Sequence, residues 1–422
     1  MKFLLKQVYI TDPHSPHHRS RKDIFIAEGV ISAVADSLSQ TADLVIDQPG
    51  LSVSPGWADP FSHFCDPGYE HKETLQTGAA AAAAGGFTTV FVIPNTKPVI
   101  DNKSQAEYVV QQSKALPVQL IPLGAITKNA GGKELAEMYD MNRSGALAFS
   151  DGLNPLQSAG ILLKALQYIK SFNGVIIQLP DDNTIAPHGL VHEGLVSTRL
   201  GLPGKPIMAE ELMVARDIKL ARYAESKLHF TGISSPKSLE YIKRAKDAGI
   251  QVTCSVTPYH LAFCDEDLYT YDTHLKVNPP LRSRQHMMAL RTAVEDGTVD
   301  CIATHHIPQD WDNKTCEFEY AKEGMIGLQT CYPVLKTTLP QVSDERWVEL
   351  LSLNTRKIFG LPQPVINEGL AANITLFQPA AGWTFTKDQV KSKSSNSPFT
   401  DRQFTGRVAG IINGDRWVLN NR

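Results

Sequence analysis

The sequence predicts an α/β protein, a (β/α)8 TIM-like barrel carrying a small composite β-sandwich built from both termini. Three observations predict it. Both ends of the chain read as short strands of alternating polarity, broken by Pro, Gly and Asp. The middle alternates near-continuous apolar runs with amphipathic helical stretches, as expected for parallel strands covered on both faces. The apolar runs number eight, which fits a barrel better than an open sheet. Residues 1–53 with 364–422 are assigned to the sandwich and 54–363 to the barrel; 422 residues leave room for a barrel of ~250 plus a second unit.

The elements follow in order. Strands are expected at 3–10, 23–27, 29–34 and 44–47 in the first segment, and at 374–377 and 407–412 in the last, where Asn413-Gly414-Asp415 supplies a turn before Trp417. Barrel strands are expected at 54–64, 88–93, 118–126, 146–150, 175–178, 228–232, 251–255 and 300–304. Helices are expected at 69–84, 103–115, 155–171, 209–226, 236–248 and 283–296. The run TGAAAAAAGG at 77–86 has the look of a phosphate loop, but alanine favours helix and the paired glycines end one, so it reads as a packed barrel helix.

Composition narrows the function. With 42% hydrophobic and 20% charged residues the chain suits a folded protein with a large core. Its 41 basic and 44 acidic side chains give a formal charge of −3, which argues against nucleic acid as partner. The longest apolar stretch is broken by Gly85-Gly86, so no membrane span is expected, and the N-terminus lacks the pattern of a signal peptide. Six cysteines without C-x-x-C spacing point to a reduced, cytoplasmic protein.

In a (β/α)8 barrel the chemistry sits just past the C-terminal ends of the strands. Those positions hold Asp59, Phe61, His63, Cys65, Asn95, Asp151, Gln178, Gly232 and His305. Each has a bland reading beside the functional one. His63 suits a buried imidazole bonded to a backbone carbonyl, and Asp59 a carboxylate that satisfies backbone donors. Cys65 suits a small apolar filler, and Asn95 and Asn278 sit in turns where an amide has structural value.

The same segments resemble a known family. SPGWADPFSHFCDPGYEHKETLQTG at 54–78, AFSDG at 148–152, EGLVSTRLGLPGKPIMAEE at 193–211, KVNPPLR at 276–282, GMIGLQT at 324–330, EGLAANITLF at 368–377 and SSNSPF at 394–399 resemble the dihydroorotases of the long, multifunctional-complex type, within the amidohydrolase superfamily. The resemblance implies reversible hydrolysis of a cyclic amide in pyrimidine biosynthesis, by a water activated on one or two divalent metals. It also implies the ligands: His-x-His after strand one, a carboxylate after strand four, single histidines after strands five and six, and an Asp after strand eight that doubles as general base.

At those positions this chain departs from the pattern. Phe61 replaces the first His of the His-x-His and only His63 remains; Gln178 is read at the strand-five His; Gly232 replaces the strand-six His; and His305 occupies the position of the Asp base. Asp151 remains, in a shortened FSDG. Cys65 replaces an Arg, and Gln309 a His, that bind the substrate carboxylate in the family, whereas Asn95 and Asn278 match retained substrate contacts. Three readings stay open. The first is a dihydroorotase homologue that is non-catalytic or impaired, with no cofactor and no confident catalytic residue. The second is a cyclic-amide or ureide hydrolase with a remodelled single-zinc site built from His63, Asp151, Asp59 and His305. The third is a binding module for a small ureide, or a scaffold. Aspartate transcarbamoylase or a second copy of the chain is the expected protein partner.

Overall fold

The computed structural model describes residues 1–420. Its centre consists of eight parallel strands: β1 (Trp57–Ser62), β2 (Phe87–Val92), β3 (Gln119–Pro122), β4 (Ala148–Phe149), β5 (Val175–Gln178), β6 (Lys227–Phe230), β7 (Val252–Val256) and β8 (Cys301–Ile302). Nearly every residue in them is buried, which accounts for the unbroken apolar runs. β1, β2 and β3 form one arc; β4, β5, β6, β7 and β8 form another. Single bridges join the arcs, Gly124 to Phe149 on one side and Ser62 to His306 on the other. The eight parallel strands of the expected TIM-like barrel are present, with continuous ladders giving way to single bridges at two seams. The reason is local, since β4 and β8 are two residues long and carry no ladder across the seam.

Helices alternate with these strands. Leu75–Ala84 begins at Thr74, whose Oγ1 accepts the amide of Thr77 at 3.1 Å. Its start falls later than the expected residue 69, because the cap and not the apolar count sets the boundary. Gly78 on this helix touches Phe64, and a Cβ there would lie 2.6 Å from the Phe64 ring. Among the described residues no helix is long and apolar enough to cross a membrane.

Both termini enter one eight-stranded sheet, which joins the two ends of the chain in one β unit as the composite sandwich reading expects. In order it runs Arg416–Leu419, Gln403–Asn413, Asn373–Thr384, Ser52–Pro55, Lys2–Ile10, Arg21–Ala27, Val30–Ala35, with Leu44–Ile46 also on Lys2–Ile10. Its apolar side chains, among them Leu5, Ile24, Val53 and Ile374, make a core of their own. Ser52–Pro55 belongs to this sheet and β1 to the arcs, so the single strand expected at 54–64 breaks at Gly56. A Cβ at Gly56 would fall 1.9 Å from Asn373 Oδ1 and 2.2 Å from Thr88 Oγ1, so only glycine fits there.

Candidate functional site

Side chains at the strand ends pack on each other and on the backbone. Asp59, in β1, accepts Ser62 Oγ at 2.6 Å and the Thr304 amide at 2.7 Å. Burial pushes its carboxyl up to about 6 against the pull of those bonds. Phe61 is fully buried, its ring 4.6 Å from that of His305. His305 sits in a left-handed backbone conformation (φ 43°), and its Nε2 lies 2.7 Å from Thr231 Oγ1. Its Nδ1 is buried without a hydrogen-bond partner. Burial lowers its imidazole to about 3, so the ring is neutral at pH 7.

His63 Nε2 lies 3.1 Å from the Asn95 carbonyl, and burial lowers this imidazole to about 4. Asn95 directs both ends of its amide to backbone: Nδ2 donates to the Asp151 carbonyl at 3.1 Å, and Oδ1 accepts the Leu153 amide at 2.9 Å. It ties the loops after β2 and β4 together. Asp151 accepts the Thr127 amide at 2.9 Å and the Thr127 hydroxyl, while burial raises it to about 6. Cys65 is buried with φ 60°, and desolvation followed by the nearby Glu73 charge pushes its thiol up, which suits a filler and not a nucleophile.

After β5 the residue facing the centre is not the one read from sequence. Gln178 turns to the helix layer, where its amide meets the Leu156 backbone at 3.2 Å and Asp217 at 3.3 Å. Leu179 faces the other way. A Cβ on Gly232 (φ 71°) would lie 2.7 Å from His305 Cε1 and 3.4 Å from Leu179 Cδ1. Phe61 thus packs on His305, Leu179 lies on the Gly232 side, and Gly232 is the space that admits the His305 ring.

These residues do not fit a metal. Among the described residues no three His, Cys, Asp or Glu side chains come together to hold an ion. The zinc set expected from His63, Asp151, Asp59 and His305 is corrected on the same ground, since each is engaged with a separate backbone or hydroxyl partner. Next to this cluster, His306 Nδ1 accepts the Gly327 amide at 3.2 Å and its Nε2 lies 3.3 Å from Glu73. Burial opposes ionisation of Glu73, but contacts from His306, the Lys393 amide and Ser392 outweigh it and hold the carboxyl below its ordinary value.

Beside the cluster opens a cavity of about 780 Å³, a size suited to a small ligand. Asp181, Lys205, Asn278 and Glu323 line it. Lys205 Nζ lies 2.6 Å from Asp181 Oδ2 and 3.2 Å from Asn278 Oδ1. Asn278 therefore lies at the cavity wall. Lys205, Asp181 and Glu323 were not singled out from sequence, because charges beside Gly or Pro read as solvated loop; only their place beside strand-end motifs was a signal.

Parallel strands, a shared terminal sheet and a mouth at the strand ends define an amidohydrolase-type fold. A family described as "Dihydro-orotase-like" matches residues 51–238. A dihydroorotase of Geotalea daltonii is 39% identical over 416 residues, 98% of each chain, and one of Pelotomaculum thermopropionicum is 39% identical over 425, covering 100% of this chain and 99% of that one. The chain belongs to the dihydroorotase family. In fold it is similar to an L-hydantoinase (dihydropyrimidinase) from Arthrobacter aurescens (TM-score 0.84, 22% identity, 99% of this chain and 96% of that one) and to a dihydropyrimidinase from Brevibacillus agri NCHU1002 (TM-score 0.84, 19%, 100% and 95%).

Proposed function

We propose that this chain is a non-hydrolytic member of the dihydroorotase family, retained as a folded partner or small-molecule binder within pyrimidine biosynthesis. One observation carries the reading: His305, at the family's general-base position, is a neutral imidazole stacked on Phe61 and anchored to Thr231. A carboxylate there could take a proton from a metal-bound water; a desolvated imidazole bonded to a hydroxyl, with no metal ligands around it, has no activated water to act on.

The test is hydrolysis of dihydroorotate by the purified chain with added zinc, manganese or cobalt. The expected result is no turnover above background; a kcat in the ordinary range of about 1–1,000 s⁻¹ would overturn the reading. The partner expectation is aspartate transcarbamoylase or a second copy of this chain. Co-elution with the transcarbamoylase on size exclusion, against the chain alone, checks it; a monomer that co-elutes with neither removes it.

A further inference from the structure

The cavity at the mouth adjoins the position where the family holds metal: Asp151 lines it, whereas none of Phe61, His63, Leu179, Gly232 or His305 does. Its polar wall comes from several separate segments. Asp181 follows β5, Lys205 lies in the short strand Gly204–Lys205, Asn278 sits in the NPP turn and Glu323 follows β8. The Lys205–Asp181 pair is nearly buried, with side chains 11% and 7% exposed, so the ammonium already has its counter-charge. Lys276 and Lys314, behind this wall, direct their ammonium groups to the backbone carbonyls of Phe318 and Glu319 and of Thr273. Glu323 differs. Its carbonyl accepts Gln309 Nε2 at 2.8 Å, but among the described residues nothing donates a hydrogen bond to its carboxylate, which lies at the cavity. Glu323 is part-buried, and an acceptor left open at a cavity wall favours a ligand that brings a donor.

The family's two anchors for a substrate carboxylate are also gone. Cys65 is buried away from the cavity, and Gln309 is held by Lys72 and the Glu323 carbonyl. We propose that this cavity binds a small uncharged amide, its N–H donating to Glu323 and its carbonyl accepting from Lys205, and that it discriminates against the carboxylated ureides of the family's reaction. The inference rests on the non-hydrolytic reading, since a bound amide is to persist unhydrolysed.

A matched pair of probes tests it: dihydrouracil and dihydroorotate share a ring and differ in one carboxylate. Calorimetric titration of the full chain is expected to show dihydrouracil binding at least about tenfold more tightly, the size of one well-made polar contact. The isosteric variant Glu323→Gln, with its melting temperature checked, is expected to weaken dihydrouracil about tenfold and narrow the preference. Equal or tighter binding of dihydroorotate, no binding of dihydrouracil at millimolar concentration, or an unchanged Glu323→Gln would each overturn the proposal. Failure to bind dihydrouracil leaves the non-hydrolytic reading standing; turnover of dihydroorotate overturns that reading while the ligand preference can still be measured.

Discussion

Two residues, Gly232 and His305, explain each other. The His305 ring occupies the place where a Cβ on residue 232 would project, and the glycine has φ 71°. Gly232→Ala therefore meets both a left-handed backbone penalty and a 2.7 Å contact, and is expected to cost about 2–4 kcal/mol. Removing the ring with His305→Ala in the same chain should return part of this, so urea denaturation of the four variants should show a coupling of about 1 kcal/mol or more. Strict additivity would mean that the two do not share space. His305 also has a pH signature. Its folded imidazole titrates near 3 and its unfolded one near 6.5, so the unfolded state alone takes up the proton between those values and stability falls as pH drops. Asp59 and Asp151, raised to about 6, work in the opposite direction between about 6 and 3.8, so the effect is read by difference. His305→Gln should flatten the fall in stability between pH 6 and 5 by about 1 kcal/mol per pH unit; an unchanged slope would show that residue 305 is protonated in the fold.

At the scale of elements, strands and helices were legible and strand ends were not. β5 was expected at 175–178, the range it has, yet the inward side chain past it is Leu179 and not Gln178. Side chains alternate with a period of two, so an error of one residue exchanges the inner and outer faces. In an apolar run buried on both faces nothing in composition says which is which. Gly232 and His305, read from motifs with Ser and Pro neighbours, adjoin in the fold. The loop before helix Leu75–Ala84 was missed for another reason. Glu73 looks like a surface charge in YEHKET, yet it is buried and joins His306, Thr77, Ser392 and the Lys393 amide, at 3.0 Å, into one knot of three segments. Glu73→Ala leaves a buried imidazole and an amide without a partner, and a loss of about 3 kcal/mol in chemical denaturation is expected. Glu73→Gln should cost less, since an amide still accepts. A Glu73→Ala chain as stable as the parent would mean that water or another donor replaces the knot.

Over the whole molecule, the terminal sheet and the parallel arcs are joined at the backbone of Gly56, and Arg356 secures that joint. Its guanidinium gives Nη2 to the Gly56 carbonyl at 2.9 Å, Nε to the same oxygen at 3.2 Å, Nη2 to Thr88 Oγ1 at 3.1 Å and Nη1 to the Pro362 carbonyl at 3.2 Å. These acceptors are neutral, and burial draws its pKa down to about 10. Around it Thr375 Oγ1 donates to the Gly86 carbonyl at 2.6 Å and Trp57 lies 5.7 Å from Phe377, so sheet and arcs also share packing. From these contacts the two parts should unfold together, in one calorimetric transition whose van't Hoff and calorimetric enthalpies agree. Arg356→Ala leaves a cavity and unpaired carbonyls, and is expected to cost about 4 kcal/mol while the transition stays single, because the apolar contacts persist. Arg356→Lys should recover only part of that, since an ammonium cannot reproduce the planar fork that reaches three segments at once. A separate melting of the sheet in the alanine variant, or full recovery by lysine, would show that Arg356 acts as a charge alone and that the joint lies elsewhere.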